Sequence, residues 1–274
     1  MKQHISDKQL SKFFKENKLA GAIHYHTTFN RRTRYITINN NCHSTILFIH
    51  GAPASLMESK EYFTDPELRQ TFNMIAVDRP GYGRSGYGDP EPSIKKQADI
   101  IKGIIDECRI HRPFIIYAAS YGASIACRLL MDFPLTADGL VLVAPSLCPG
   151  EEKYLWVTPL VERSFIRKII LPHHRSSNTE KFNHKDELSK MLPWWKNIRV
   201  PVMYIQGEKD KMIYTTNAGF ARENLVNVPS LEINFIKGQK HVIDKKENPF
   251  IIKKILELLK QAGQLTKSTT TSNV

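Results

Sequence analysis

Ser120 stands where an apolar run meets a helical pattern, in the order Ala118-Ala119-Ser120-Tyr121-Gly122. The run before it, FIIYAA, is typical of a buried strand, and the residues after it repeat with helical spacing. An abrupt turn from strand to helix strains the corner residue, and only small residues two positions away on either side avoid a collision. Ala118 and Gly122 are small. We therefore interpret Ser120 as a nucleophile at a sheet edge, beside a helix N-terminus that favours developing negative charge.

A serine hydroxyl becomes a nucleophile when a neighbouring base accepts its proton, and His241 is the candidate for that base. It lies in KGQKHVID, after the last strand-like run and before the last helical pattern, a position that no other of the ten histidines shares. Asp210 follows Gly207 by three residues, after the run VPVMYIQG. A carboxylate at that point would hold an imidazole in the required tautomer and stabilise its charged form. Glu208 is the alternative for this acidic role.

Backbone donors for a developing oxyanion are predicted at two positions. The segment IHGAPAS follows the strand-like run STILF, and the N–H of Ala52 within it is expected to face the N–H of Tyr121. Pro53 has no N–H and cannot contribute. Two preorganised donors would stabilise a tetrahedral intermediate, and one such donor is typically worth about 3–4 kcal/mol.

Eight strand-like runs must position these groups. The first two alternate around NRR as an antiparallel pair does, whereas the later ones are apolar throughout and rich in Val and Ile, as strands buried on both faces of a parallel sheet are. The runs are AIHYHTTF, TRYITIN, STILFIH, FNMIAVD, FIIYAA, GLVLVAP, VPVMYIQG and LEINFIK. Helical patterns alternate with the later runs. The sequence therefore predicts an α/β fold with a mostly parallel central sheet, helices on both faces and antiparallel N-terminal strands.

The chain is predicted to divide into a core and one insertion. Residues 149–193 separate two strand-like runs by far more than an ordinary connection, which indicates a small helical cap over one edge of the sheet. The core then comprises residues 1–148 and 194–262.

Both ends of the chain have their own pattern. Residues 1–19 are expected to form an N-terminal helical extension, which a capping box of Ser6 and Gln9 would start. The last helix is predicted to close at Gly263. Residues 263–274 have almost no apolar content and are predicted to be a disordered tail.

Taken together, these motifs resemble those of the α/β-hydrolase fold superfamily over roughly residues 20–262. The resemblance rests on His50-Gly51-Ala52-Pro53, on DRPGYGRS at 78–85, on the Ser120 corner, on Gly207-x-x-Asp210 and on Gly238-x-x-His241. The order Ser, Asp, His is that of the family. The resemblance implies a site between the cap and the sheet. The DRPGYGRSG segment is interpreted as a structural turn, with substrate contact by Arg79 or Arg84 as the alternative.

The resulting hypothesis is a serine hydrolase that cleaves a carboxylic ester of small or medium size through an acyl-enzyme on Ser120. Amide, thioester and C–C bond substrates need much the same groups, and perhydrolase chemistry shares the triad. Dehalogenases and epoxide hydrolases of the family use an aspartate at the corner, where this chain has serine. A ligand-binding protein that keeps the fold without turnover is the alternative from another class. Trp156, Trp194 and Trp195 either line an apolar substrate pocket or form a small core within the cap.

No metal or other cofactor is predicted. His173, His174 and His184 lie in the insertion, but they form no HExxH motif and no tight ligand cluster. GxGxxG and P-loop patterns are absent, and no nucleic-acid module is recognisable. A small-molecule substrate is therefore the expected partner, and the oligomeric state is left open.

Charge and cysteine usage bear on the compartment. The formal net charge is +12, and most of the excess lies at the two ends, which we interpret as solvated segments; attraction to an anionic surface is the alternative. No apolar run approaches the roughly 20 residues of a membrane span, and the N-terminus lacks the apolar stretch of a signal peptide. The four cysteines show no disulfide framework and are interpreted as free thiols. These features predict a cytoplasmic protein.

Overall fold

The computed structural model describes residues 4–154, 158–162 and 170–271, with the backbone alone for Val161 and residues 266–271. In this part of the chain one sheet is formed by β1 (Gly21–Thr28), β2 (Arg31–Ile38), β3 (Ser44–Ile49), β4 (Phe72–Val77), β5 (Phe114–Ala119), β6 (Gly139–Val143), β7 (Val202–Gly207) and β8 (Leu231–Ile236). Each strand overlaps one of the eight predicted runs.

The strands lie in the spatial order β1-β2-β4-β3-β5-β6-β7-β8. The β1–β2 and β2–β4 pairs are antiparallel, and the pairs from β4–β3 through to β7–β8 are parallel. The predicted α/β fold with antiparallel N-terminal strands is therefore confirmed. Because β3, β5, β6, β7 and β8 are parallel, the loops that follow them meet at one edge of the sheet.

The helices connect these strands. They are α1 (Asp7–Glu16), α2 (Lys60–Thr64), α3 (Pro66–Thr71), α4 (Ile94–Glu107), α5 (Tyr121–Asp132), α6 (Thr158–Val161), α7 (Pro172–Ser189), α8 (Thr216–Asn224) and α9 (Asn248–Thr271), with short 3₁₀ helices at Leu56–Ser59, Leu192–Asn197 and Lys245–Glu247. At the start of α1, the N–H of Gln9 donates to Ser6 Oγ at 3.2 Å and the N–H of Ser6 donates to Gln9 Oε1 at 2.9 Å. The predicted capping box is therefore confirmed.

Two apolar layers hold the helices against the sheet. On one face, α4, α5 and α8 contribute buried side chains such as Ile104 and Leu129. On the other face, α1, α3 and α9 contribute Phe14, Leu68 and Ile255. Burial of an aliphatic or aromatic side chain of this size contributes about 1.5–3 kcal/mol. The two layers fix the sheet, and the sheet in turn fixes the positions of its loops.

The segment between β6 and β7 carries α6 and α7. Leu188 and Met191, near the end of α7, are buried in the same apolar layer as α5. Trp195 lies in this layer too, with its ring edge-on to Phe220 at a centroid distance of 5.3 Å. The end of the insertion therefore packs into the core, while the division into core and cap stays a prediction.

The C-terminal helix is longer than the sequence indicated. The prediction that it closes at Gly263 is wrong, because α9 continues to Thr271. The disordered tail stays a prediction. A glycine ends a helix when it adopts a left-handed conformation. Gly263 is not among the glycines with positive φ, so the helix passes through it.

Candidate active site

Ser120 forms the corner between β5 and α5, with φ 50° and ψ −120°. Residues other than glycine seldom adopt this φ, so the turn holds Ser120 under strain. The N–H of Ser120 donates to the Val143 carbonyl on β6 at 2.9 Å, and its carbonyl accepts from the N–H of Ala123 at 3.1 Å. The neighbouring strand and the helix therefore hold the serine at the carboxyl edge of the sheet.

Gly122 lets α5 begin directly against β3. A Cβ at this position would lie 2.6 Å from the His50 carbonyl oxygen and 2.7 Å from the Ile49 carbonyl oxygen. Both neighbours are backbone atoms near the end of a central strand, so they cannot move aside easily. Packing against these carbonyl groups therefore requires glycine at position 122, two residues after the serine.

We expect Gly122→Ala to lower the free energy of unfolding by about 1–3 kcal/mol, because the added methyl group overpacks this contact. The matched control is Gly219→Ala in α8, where a Cβ would meet no atom within 4 Å. Alanine there should stabilise the helix by up to about 1 kcal/mol. Urea unfolding followed by circular dichroism measures both changes. Equal midpoints for the two variants would show that the contact at Gly122 has no energetic weight.

The structure brings Ser120, His241 and Asp210 together, each from the loop after a different strand. Ser120 Oγ lies 3.0 Å from His241 Nε2, and His241 Nδ1 lies 2.8 Å from Asp210 Oδ2. An ionised carboxylate only accepts hydrogen bonds, so Nδ1 must carry the imidazole proton. Nε2 is then free to accept the proton of the serine hydroxyl. The Asp210 side chain is fully buried, whereas that of His241 keeps 13 % exposure.

Asp210 is held by donors on every side. Its Oδ1 accepts the N–H groups of Met212 and Ile213 at 2.9 and 3.0 Å, and its Oδ2 also accepts from Gln206 Nε2 at 3.3 Å. Burial alone would raise the pKa of Asp210, but the hydrogen bond and charge of His241, together with the two N–H groups, lower it below the ordinary value. The carboxylate therefore stays ionised and keeps its orientation.

Glu208, the alternative acid, points to a different partner. Its Oε2 accepts the N–H of Gly238 at 3.0 Å, in the loop that leads to His241. The loops also meet at Gly207, where a Cβ would collide with the carbonyl oxygens of Gln239 and Lys240. Glu208 thus braces the loop, while Asp210 contacts the imidazole.

The two predicted oxyanion donors lie beside the serine. Tyr121 is the first residue of α5, and an N–H in the first turn of a helix has no partner within the helix. Ala52 and Tyr121 line one cavity together with Ser120. The preceding N–H, that of Gly51, is already engaged with Glu58 Oε2 at 2.9 Å, which fixes the loop. No sequence motif pointed to Glu58.

Arg79 also holds the loop after β3 in place. Its guanidinium donates to the carbonyls of His50 and Gly51 at 2.8 and 2.9 Å, and it is paired with Glu180 on α7. Arg79 and Glu180 are both fully buried. Burial opposes the charge of Arg79, but Glu180 outweighs it and raises the pKa of the guanidinium above its usual range. Arg79 is therefore a structural link between the loop after β3 and the helix above it, as the interpretation of the DRPGYGRSG segment expected.

A known protein family matches much of this chain. The alpha/beta hydrolase family model matches residues 46–193, which is more than half of the chain. This chain belongs to the alpha/beta hydrolase family.

Curated relatives match part of this alpha/beta hydrolase. It is 32% identical over 132 residues to the pimeloyl-[acyl-carrier protein] methyl ester esterase of Proteus mirabilis, covering 48% of each chain. It is 27% identical over 130 residues to the dihydrolipoyllysine-residue acetyltransferase component of the acetoin cleaving system of Cupriavidus necator, covering 47% of this chain and 34% of the relative. The chain thus spans less than half the length of these curated relatives.

A solved structure covers nearly the whole hydrolase. The crystal structure of a proposed lipase (lip1) from Acinetobacter baumannii AYE superposes with a TM-score of 0.70 at 16% sequence identity, over 96% of this chain and 99% of that one. At this identity the likeness establishes the fold alone. The α/β-hydrolase fold predicted from the motifs is therefore confirmed.

Ser120 of this hydrolase lies between two cavities. The first, the cap-side cavity, has a volume of about 510 Å³ and reaches from Ser120 to the inner side of α7. The second has a volume of about 340 Å³ and lies towards α9, with walls that include Tyr62, Tyr117 and Ile251. Both volumes suit a small-molecule substrate. His241 lines both cavities, so it can contact a ligand bound in either of them.

A second polar chain crosses from the cap-side cavity into the core. His184 on α7 lies 3.1 Å from Ser124 Oγ through Nε2 and 3.0 Å from Glu152 Oε1 through Nδ1. Ser124 Oγ donates to the Ser146 carbonyl at 2.6 Å. His184 lies on α7, Ser124 lies on α5, and Ser146 and Glu152 lie in the connection after β6, so no spacing in the sequence linked them. The repetition of polar residues on one face of α7 was the sequence feature that could have indicated this arrangement.

The predicted tryptophan contacts need correction. Trp195 is only 2% exposed and packs in the core, because α5 and Phe220 enclose it. Trp194, its neighbour, is 46% exposed. Neither residue lines the two cavities at Ser120. Trp156, the third candidate, lies outside the described residues.

The described residues form neither a metal site nor a membrane-spanning helix. Within residues 4–154, 158–162 and 170–271, no group of three or more His, Cys, Asp and Glu side chains is arranged to hold a metal ion. No helix in the described part of the chain is both long and apolar enough to cross a membrane. The cytoplasmic location stays a prediction.

Proposed function

We propose that this alpha/beta hydrolase is a serine esterase that cleaves a small or medium carboxylic ester through an acyl-enzyme on Ser120. The observation that carries the proposal is the hydrogen-bonded chain from Ser120 through His241 to Asp210, at distances of 3.0 and 2.8 Å, on a strained corner between two cavities. The esterase name of a curated relative at 32% identity supports ester chemistry.

In the first half of the reaction, Ser120 Oγ forms a bond to the acyl carbon while His241 Nε2 takes the hydroxyl proton. The carbonyl π electrons move to the oxygen, which the N–H groups of Ala52 and Tyr121 stabilise. Collapse of this intermediate breaks the bond to the alcohol oxygen, and His241 returns its proton to that oxygen. The products are an alcohol and an acyl ester of Ser120.

In the second half, water replaces the alcohol. His241 Nε2 takes a proton from the water as its oxygen attacks the acyl carbon, and then returns that proton to Ser120 Oγ as the acyl bond breaks. Asp210 accepts the hydrogen bond from Nδ1 throughout and stabilises the imidazolium that forms in each half. The acid is released, and the serine hydroxyl is restored.

The proposal is tested by labelling with a fluorophosphonate probe and by hydrolysis of p-nitrophenyl esters from acetyl to dodecanoyl. We expect the folded protein to gain one phosphonyl group, which peptide mass spectrometry should locate on Ser120, and to lose ester hydrolysis in proportion. Heat-unfolded protein is the control, because activation of the serine needs the assembled site. Hydrolysis that continues after complete labelling of Ser120, or labelling at another residue, would contradict the proposal.

A further inference from the structure

The cap-side cavity combines apolar walls with a polar face on α7. Met212 and Ile213 form part of its apolar wall beside His241. The side chains of His174, Ser177, Asn178, Lys181 and His184 line the opposite side, at a spacing that places them on one face of the helix. Lys153 also lines the cavity. An apolar pocket with a few placed polar groups is the usual form of a specific ligand site.

Most polar groups on this face already have partners within the protein. Ser177 Oγ donates to the His174 carbonyl at 3.2 Å. Asn178 Nδ2 donates to the Thr158 carbonyl at 3.0 Å and to Glu162 Oε1 at 2.7 Å. These side chains are therefore held in place by the cap itself, and they leave the lysines as the main groups for a ligand.

Glu152 is the one carboxylate in the described lining of this cavity. Ser124 Oγ donates to the Ser146 carbonyl and lies 3.1 Å from His184 Nε2. Glu152 Oε1 lies 3.0 Å from the other ring nitrogen of His184, Nδ1, so the carboxylate is engaged with this side chain. Burial would raise the pKa of Glu152, but His184 and then Lys181 lower it, which keeps the carboxylate ionised.

The charge of Lys181 is consequently not fully matched. Its Nζ lies 4.0 Å from Glu152 Oε2, at the limit of an ion pair, and that carboxylate already serves His184 at 3.0 Å. Lys153 adds a second positive charge to the same lining. With one carboxylate, which is already engaged with His184, against two lysines, the described walls of the cavity carry an excess of positive charge.

We propose that the cap-side cavity binds a carboxylate on the substrate, and that Lys181 is the residue that selects it. The inference rests on the proposed ester hydrolysis and names its substrate class: an ester with a short apolar chain that ends in a carboxylate. The described lining offers two separate lysines, and a single lysine can match the one charge of a carboxylate.

The test uses ester pairs that differ only in this group. Monomethyl glutarate carries the carboxylate on the acyl side, and methyl pentanoate is its uncharged counterpart; acetoxybutanoate and butyl acetate form the pair with the carboxylate on the alcohol side. We expect the wild-type protein to favour the charged member of at least one pair by about tenfold in kcat/KM, the size of one charge-assisted hydrogen bond. The preference should appear mainly in KM.

Three variants at α7 assign the effect. Lys181→Met should reduce the preference to about one, and Lys181→Arg should restore most of it. Lys185→Met removes an exposed lysine of the same helix that does not line the cavity, and should leave the preference unchanged. Equal use of both members of each pair by the wild type, or a preference that survives in Lys181→Met, would overturn the proposal while leaving ester hydrolysis in place.

Binding separates this proposal from the proposed function. Ser120→Ala protein is titrated with monomethyl glutarate and with methyl pentanoate in a calorimeter. Tighter binding of the charged ester, lost in the Ser120→Ala/Lys181→Met double variant, would support the carboxylate site even if the wild type cleaved no ester. Absence of a difference would count against the carboxylate site whatever the outcome for hydrolysis.

Discussion

Replacement of Ser120 by alanine is expected to reduce kcat for p-nitrophenyl esters by up to about 10⁶-fold, or roughly 8 kcal/mol of barrier. The reason is that His241 Nε2, 3.0 Å from Ser120 Oγ, would have no hydroxyl to deprotonate, and no acyl-enzyme could form. Folding should be retained, because the hydrogen bond that the structure describes for this hydroxyl is the one to His241. Initial rates and circular dichroism measure the two effects.

The matched control for this prediction is Ser189→Ala. Ser189 lies at the end of α7, and its hydroxyl donates only to the Lys185 carbonyl one turn earlier. We expect wild-type rates from that variant. Residual activity of Ser120→Ala within a few-fold of the wild type would rule out Ser120 as the nucleophile and would direct attention to a different group in the two cavities.

Replacement of Asp210 by asparagine should lower kcat by about 10⁴-fold, by forcing the wrong tautomer on His241. The amide oxygen must occupy the Oδ1 position, where it accepts the N–H groups of Met212 and Ile213. The NH₂ group then takes the Oδ2 position, 2.8 Å from His241 Nδ1. An NH₂ group donates, so Nδ1 becomes the acceptor and the proton moves to Nε2. Nε2 can then no longer accept the proton of Ser120.

Glu208→Gln is the control, because it shows whether the loss comes from the contact with the imidazole or from removal of a negative charge. Glu208 is two residues from Asp210 in the sequence and contacts Gly238 instead of the imidazole. The Glu208→Gln substitution removes the same charge and should keep kcat within a few-fold of the wild type. Steady-state kinetics of both variants on one ester decide the matter. A larger loss in Glu208→Gln than in Asp210→Asn would mean that Glu208, and not Asp210, orients the base.

The strands and the triad candidates could be predicted because each depends on local pattern. Runs such as FIIYAA are apolar throughout because both faces of the sheet are covered, and this makes them visible in the sequence. Ser120, Asp210 and His241 follow the ends of parallel strands, so their loops must meet at one edge. The spacing thereby placed these side chains within contact distance, while their catalytic roles remain proposals.

The remaining parts of the site depend on how the insertion packs, which no local pattern reveals. His184 and Lys181 belong to a helix whose polar face turns inward to a cavity, against the usual tendency for polar faces to be solvated. Trp195 was left between two interpretations for a related reason. A tryptophan next to an insertion suits a pocket wall and a core equally well, and the contact with Phe220 decides for the core.

The buried Arg79–Glu180 pair has a consequence for engineering and for divergence of this hydrolase. Glu180 lies on α7, between β6 and β7, whereas Arg79 follows β4 and holds the loop after β3. A chimera that receives a foreign insertion lacking this carboxylate would leave an uncompensated guanidinium inside the protein, which costs about 3–5 kcal/mol when a buried pair is broken. A segment exchanged into this chain should therefore carry an acid that meets Arg79, or Arg79 should be replaced with it.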